Sequence, residues 1–331
     1  MRCGVLVLVV LPLALGLRFH SLFMPGMVLQ REVPNTVWGF DLLGSLDTEL
    51  SCTTTSGTMS HHKMASTSSN TREGVWEVEV PPQEGGTVCT LQATTATEFL
   101  VLTDVLFGDV WLCSGQSNME LTMANIINST EEIAASAAFT TIRYMVVGHA
   151  VAEAADPDAD VMVEQGWADP TDATTLANMS AVCFLYARSL QALWAAEGRE
   201  VVPLGLVAAS WGGTPVEAWT PPHTLATCGV EEVPGCTPNY PHHCPVRLYN
   251  AMVLPLTRAA LTGFLWYQGE ANRVNNRDDY ACTFPGMIDA WREAFSATSA
   301  TPSDAAFGFV QLATWRPESL EAASLSSGGT R

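Results

Sequence analysis

Val105-Leu106-Phe107-Gly108-Asp109-Val110-Trp111-Leu112-Cys113 is apolar almost without break, and Ser114-Gly115-Gln116-Ser117-Asn118-Met119-Glu120 follows it directly. Such a run, bounded by small and polar residues, reads as a strand, and Gly115 permits the tight turn that must end it. A helix is expected to begin at Asn118. A serine on a strand-to-helix turn projects its hydroxyl at the carboxyl edge of a sheet. There a helix N-terminus supplies amide N–H groups and positive potential. Ser117 is therefore a candidate nucleophile, while Ser117 or Ser114 as a simple N-cap is the plainer reading. Met119 stands where the hydrolase elbow pattern has its second glycine.

The same design recurs downstream. Residues 204–209 form an apolar strand that runs into Ser210-Trp211-Gly212-Gly213-Thr214-Pro215-Val216-Glu217-Ala218-Trp219. A Gly-Gly turn exposes backbone N–H groups suited to an oxyanion, although most such turns are only turns. Residues 263–267 form a third strand, ending in Gln268-Gly269-Glu270-Ala271-Asn272. Gln268 or Asn272 is placed to donate a side-chain N–H, with helix capping as the alternative for Glu270 and Asn272. Residues 180–196 repeat apolar side chains at three and four, an amphipathic helix stopped near Gly198. Strands alternating with helices specify an α/β fold with a parallel sheet, whose strand ends converge at one carboxyl edge. The Pro- and Cys-rich residues 221–245 read as a long irregular loop.

Upstream, residues 37–40, 76–80 and 99–102 are β-formers between Gly, Pro and Ser/Thr clusters, and no helical period appears there. The expected organisation is a signal peptide over 1–16, a small β-rich, sandwich-like domain over 17–103, an α/β domain over 104–315 and a disordered tail over 316–331. Two domains suit a chain of 331 residues that is 47% hydrophobic. A net charge of −19 argues against nucleic acid and anionic lipid as partners. No internal run reaches the ~18–20 apolar residues of a membrane span.

Removing the leader takes Cys3 and leaves eight cysteines, an even number that suggests disulfides in a secretory protein. Cys52 and Cys89 are placed to staple one domain. Cys228, Cys236 and Cys244 are placed to pair among themselves or with Cys282. No Cys-x-x-Cys pair occurs, so a zinc ribbon has no support. Asn128-Ser129-Thr130 and Asn178-Met179-Ser180 fit the N-glycosylation pattern, which makes Asn128 and Asn178 candidate acceptors.

The three blocks at 108–119, 210–219 and 266–272 together resemble the sialate O-acetylesterases, a family of SGNH hydrolases. Met27-Val28-Leu29-Gln30, Leu248-Tyr249-Asn250-Ala251-Met252 and Phe284-Pro285-Gly286-Met287-Ile288-Asp289-Ala290-Trp291-Arg292 extend the resemblance. It implies a flavodoxin-like hydrolase domain beside a β-rich one. It also implies removal of O-acetyl groups from sialic acids or sialoglycans, in lysosomes or after secretion, without metal or cofactor. By the same resemblance Ser117 is the nucleophile, Gly212 or Gly213 gives an oxyanion N–H, and Gln268 (or else Asn272) gives the third donor.

One departure stands out. The family takes its base from an Asp-x-x-His block, and none of the seven histidines here has an aspartate three residues before it. His149, His223, His242 and His243 are read as surface loop residues. His223 or His243 would serve as a surrogate base only with its ring in hydrogen-bond reach of Ser117. The expectation is a chain truncated ahead of that block, and weakly active or inactive. The alternatives are a glycan-binding or regulatory protein on an esterase scaffold, and an acetylesterase of other acetylated polysaccharides.

Overall fold

Among the described residues seven strands precede the apolar run: β1 (Arg18–Phe19), β2 (Val28–Gln30), β3 (Asn35–Phe40), β4 (Asp47–Thr53), β5 (Met59–Ser68), β6 (Val75–Val80) and β7 (Val88–Thr94). The computed structural model describes residues 16–41, 46–68, 74–273 and 276–313. Residues 1–15 of the expected leader and the whole 316–331 tail lie outside the described residues. The strands pair antiparallel, β1 with β3, β3 with β6 and β4 with both β5 and β7, while β2 runs parallel to the strand that follows. β5 pairs with β4 as far as Ala65 and with β6 from Ser66, so it passes from one antiparallel set to the next. Trp38, Leu50, Val78 and Leu91 are buried from these strands. Cys52 and Cys89 stand opposite each other across the β4–β7 pair and form a disulfide.

β8 (Phe99–Gly115) contains the whole apolar run. Its first part pairs antiparallel with β7, and its last part pairs in parallel with two later strands. At the junction Leu102 faces Leu91 and Val105 faces Cys89, which leaves one extra residue on β8. Asp104 takes up the irregularity in a left-handed conformation, φ 55°. Its carboxylate accepts from Arg143 Nη2 at 3.0 Å. The boundary expected at 103/104 falls on this bulge, with the chain continuing as strand on both sides. One buried cluster includes Trp38 and Phe107 together with Trp219 and Trp266.

Beyond β8 come α1 (Ser117–Glu120), α2 (Ser129–Ser136), β9 (Ile142–Val147), β10 (Val163–Ala168), α3 (Ala173–Asn178), α4 (Ala181–Ala196) and β11 (Leu204–Ser210). α5 (Pro222–Thr227), β12 (Gly263–Tyr267), α6 (Tyr280–Thr298) and β13 (Ala306–Phe309) complete the described part. The strand order is β10-β9-β11-β8-β12-β13, all parallel except the antiparallel edge strand β10. β11 lies on one side of β8 and β12 on the other. The carboxyl end of β8 is therefore the point where strand order switches, the place where open α/β sheets bind ligands.

The amphipathic helix expected over 180–196 is α4. Its cap is Ser180, whose hydroxyl accepts the Cys183 N–H at 3.3 Å, and it buries Phe184, Ala187 and Trp194. A Cys113–Cys183 disulfide fastens α4 to β8. The stretch 221–245 is less irregular than expected. It opens with α5, whose Pro222 fills a first-turn position where no N–H is needed. Cys228–Cys282 and Cys236–Cys244 then tie it down, so all eight cysteines expected after leader removal are paired.

Candidate active site

Gly115 ends β8 with φ +143°, and a Cβ on it would lie 2.1 Å from the Tyr267 carbonyl oxygen. Only glycine lets β8 and β12 close to this distance at their carboxyl ends. The chain then turns through Gln116, whose N–H donates to Tyr267 O at 2.9 Å. Gln116 occupies the N-cap position of α1 without a side-chain capping bond, and Ser117 is the first helical residue. Capping is thus not the role of Ser117. Its side chain is exposed at the switch point, and its hydroxyl makes no hydrogen bond among the described residues. Met119 points into the core, fully buried.

The other two blocks converge on this turn. Gln116 Oε1 accepts the Ala271 N–H at 3.1 Å and the Gly269 N–H at 3.4 Å, and Asn118 Nδ2 donates to Glu270 Oε1 at 2.5 Å. The Ser-Gly-Gln-Ser-Asn turn is therefore bolted to the 268–272 block on both sides of Ser117. From β11, Trp211 N–H donates to Gly115 O at 3.1 Å, and Thr214 Oγ1 closes the Gly-Gly turn onto Trp211 O at 2.7 Å. A Cβ on Gly212 would sit 3.4 Å from Ser117 Cβ, so this turn lies against the serine. Gly213 adopts φ +77°, the left-handed region where a glycine is at ease.

The two glycines differ in what their amides do. Gly212 N–H donates to Glu120 Oε2 at 2.6 Å. Gly213 N–H has no acceptor among the described residues, and Ser117 N–H opens a helix, where amides lack an intrahelical acceptor. Gln268 and Asn272 are both buried. Gln268 Nε2 donates to Thr214 O at 3.1 Å and to Asn272 Oδ1 at 2.7 Å, while its Oε1 accepts from Tyr280 at 3.1 Å. Asn272 Oδ1 also accepts the Val216 N–H at 2.9 Å, and its Nδ2 donates to Glu217 Oε2 at 2.9 Å. In this arrangement one amide hydrogen of Gln268 braces the Gly-Gly segment at Thr214 and the other is held by Asn272. A groove of about 370 Å³ opens along Gln268 and Asn272, walled by Arg273, Tyr280, Phe284 and Phe309.

Three of the four histidines read as surface loop residues lie in partly exposed loops and come together at the site. His149 and His242 stack on opposite faces of Trp211, with centroids at 4.1 and 4.5 Å and planes within 4° and 5°. His243 Nε2 lies 3.7 Å from where a Gly213 Cβ would be. Burial, then the neighbouring His243 and His149, holds His242 below the usual imidazole pKa, and burial does the same to His243. His223 is exposed on α5. None of the four hydrogen-bonds Ser117. Glu120, whose Oε1 lies 2.9 Å from His149 Nε2, went unremarked in the sequence. Its position three residues after Ser117 on one helix was the available signal. Among the described residues no group of His, Cys, Asp and Glu is arranged to hold a metal ion.

Residues 107–314 match the family described as carbohydrate esterase, sialic acid-specific acetylesterase. The sialate O-acetylesterase of Homo sapiens is 38% identical over 93% of this chain, and that of Rattus norvegicus 36% identical over 91%. The chain spans 61% of the length of each of these relatives. A carbohydrate acetylesterase from Xanthomonas citri superposes with a TM-score of 0.70 at 27% identity, over 89% of this chain and 60% of its own.

Proposed function

The chain belongs to the carbohydrate esterase family of sialic acid-specific acetylesterases, and from that premise we propose that it is a serine esterase acting on O-acetylated sialic acids. The observation that carries this reading is the exposed Ser117 at the switch point, flanked by the unsatisfied amides of Ser117 and Gly213. Ser117 Oγ attacks the acetyl carbonyl carbon, and the carbonyl oxygen becomes an oxyanion held by the two amides. The sugar oxygen leaves with a proton and acetyl-Ser117 remains. Water then attacks the same carbon, releasing acetate and the free serine.

Between the glycines, Gly213 is the donor we assign, because Glu120 already takes the Gly212 amide. Gln268 spends both amide hydrogens internally and Asn272 Nδ2 donates to Glu217, so in this arrangement the oxyanion is left to the backbone amides. The paired cysteines fit the secretory pathway, lysosomal or extracellular, with Asn128 and Asn178 exposed for glycosylation. Among the described residues no helix is long and apolar enough to cross a membrane.

No histidine among the described residues hydrogen-bonds Ser117, and we propose slow turnover for the chain as given. A hydrolase without its base retains roughly 10³–10⁴-fold over water from the oxyanion site and binding. Acetate release from O-acetylated sialic acid, acetyl-xylan and 4-nitrophenyl acetate, with Ser117→Ala alongside, tests the assignment. Release from the sialic acid that Ser117→Ala abolishes is the expected result. Faster release from acetyl-xylan would reassign the substrate. Glycan binding without release, unchanged by Ser117→Ala, would make the chain a binding protein, the reading that the unpartnered Ser117 hydroxyl favours.

A further inference from the structure

Glu120 stands outside the roles assigned above, yet it joins three parts of the site. It lies one helical turn past Ser117. One carboxylate oxygen takes the Gly212 N–H at 2.6 Å, and the other lies 2.9 Å from His149 Nε2. Bonds of this type, from a backbone amide to a carboxylate, are short and roughly twice as strong as neutral ones. His149 in turn lies flat on Trp211, the residue just before Gly212, and His242 covers the other face of that indole. His242 sits in the segment closed by the Cys236–Cys244 disulfide. A closed circuit of contacts therefore runs from Glu120 through His149, Trp211 and the peptide chain to Gly212, and back to Glu120. The disulfide-held loop braces it from outside.

This circuit grips the peptide between Trp211 and Gly212 from the helix that carries the serine. It fixes the distance between nucleophile and Gly-Gly turn, and it leaves the next amide, that of Gly213, unspent. We propose that Glu120 is a positioning residue of the esterase site, holding the Trp211–Gly212 peptide so that the Gly213 amide stays presented beside Ser117. The proposal rests on the assignment of Ser117 and Gly213 made above. It predicts a loss of rate when Glu120 is cut back. A carboxylate that merely competed with the substrate for the Gly212 amide would give a gain.

The full chain carrying Glu120→Ala, Glu120→Asp or Glu120→Gln distinguishes these. With 4-nitrophenyl acetate, Glu120→Ala and Glu120→Asp are expected to lower kcat about 10–100-fold, with KM within about threefold of wild type. Glu120→Gln keeps an oxygen acceptor for Gly212 N–H and is expected to recover to within about threefold of wild type. In [15N]glycine-labelled protein the Gly212 amide proton should move upfield in Glu120→Ala and less so in Glu120→Gln. A rate in Glu120→Ala equal to or above wild type overturns the proposal, as does an unmoved Gly212 resonance. If wild type releases no acetate, the esterase reading fails by itself. Labelling of Ser117 by a fluorophosphonate, in which Ser117 Oγ bonds phosphorus and fluoride departs, then decides. Slower labelling in Glu120→Ala sustains the positioning role and equal labelling ends it. If Glu120→Ala fails to fold, Glu120→Asp against Glu120→Gln gives the same contrast.

Discussion

The first six residues of β8 are mostly exposed or half-buried and pair antiparallel with β7, whereas the last eleven are buried without exception and mostly pair in parallel. A strand covered on one side tolerates Thr103 and Asp104, whereas one with elements on both faces holds apolar and small residues, with Asp109 paired to Arg31. The difference also sorts the chemistry. Strands of the antiparallel set end in turns that bond to themselves, as Thr54 does with Ser56 and Thr58. The parallel strands β8, β11 and β12 end together at a switch point, where their polar tails meet each other.

Substitutions on either side of this divide should differ sharply. Gly115→Ala closes the parallel half at its tightest point, adding a Cβ 2.1 Å from a carbonyl oxygen at φ +143°. The clash and the backbone strain together predict a loss of about 3–5 kcal/mol. Urea denaturation would show it as a lower midpoint, and a wild-type midpoint would mean that the two strands part easily.

In the antiparallel half the strongest effect expected is electrostatic. His20 is fully buried beside Trp38, and burial outweighs Asp160 to lower its pKa from 6.5 to about 4. The unfolded chain therefore binds this proton more readily than the folded one. The contribution is complete above pH 6.5 and is lost as pH falls toward about 4, on the order of 3 kcal/mol. Melting temperature measured from pH 7.5 down to 4.5 should fall less steeply in His20→Gln than in wild type. Parallel curves would show that another group carries the acid sensitivity.

The smallest effect belongs to Phe99→Ser at the exposed start of β8. Phe99 is 58% exposed, so a change within about 0.5 kcal/mol is expected. A larger loss in the same urea titration would show that the two halves of β8 are not energetically distinct.

The parts of the fold legible from sequence were those whose burial follows one period. Strands 204–209 and 263–267 and helix 180–196 end within a residue of β11, β12 and α4. α6 was hidden because Pro285 and Gly286 interrupt its pattern, and proline normally breaks a helix. Packing overrides that local penalty. Met287, Trp291 and Phe295 are fully buried, and Trp291 and Phe295 contact Phe264 of β12. Within the site, Ser117, Gly212 and Asn272 sit on motifs that can be read locally. The tie from Glu120 to Gly212 spans 92 positions and the stack on Trp211 joins three separate loops, so no local pattern encodes either.

The shared strand also imposes an order of events during synthesis. The antiparallel half of β8 can find its partner β7 as soon as residue 106 has emerged. The parallel half must wait for β11, which begins at Leu204, and for β12, which begins at Gly263. At about 5–20 residues per second that wait is on the order of 10 s. For that time residues 109–115, the part of the ribbon that pairs with β11 and β12, offer two open edges to any passing chain. The segment that gives the finished molecule its chemistry is thus the one the nascent chain must guard longest.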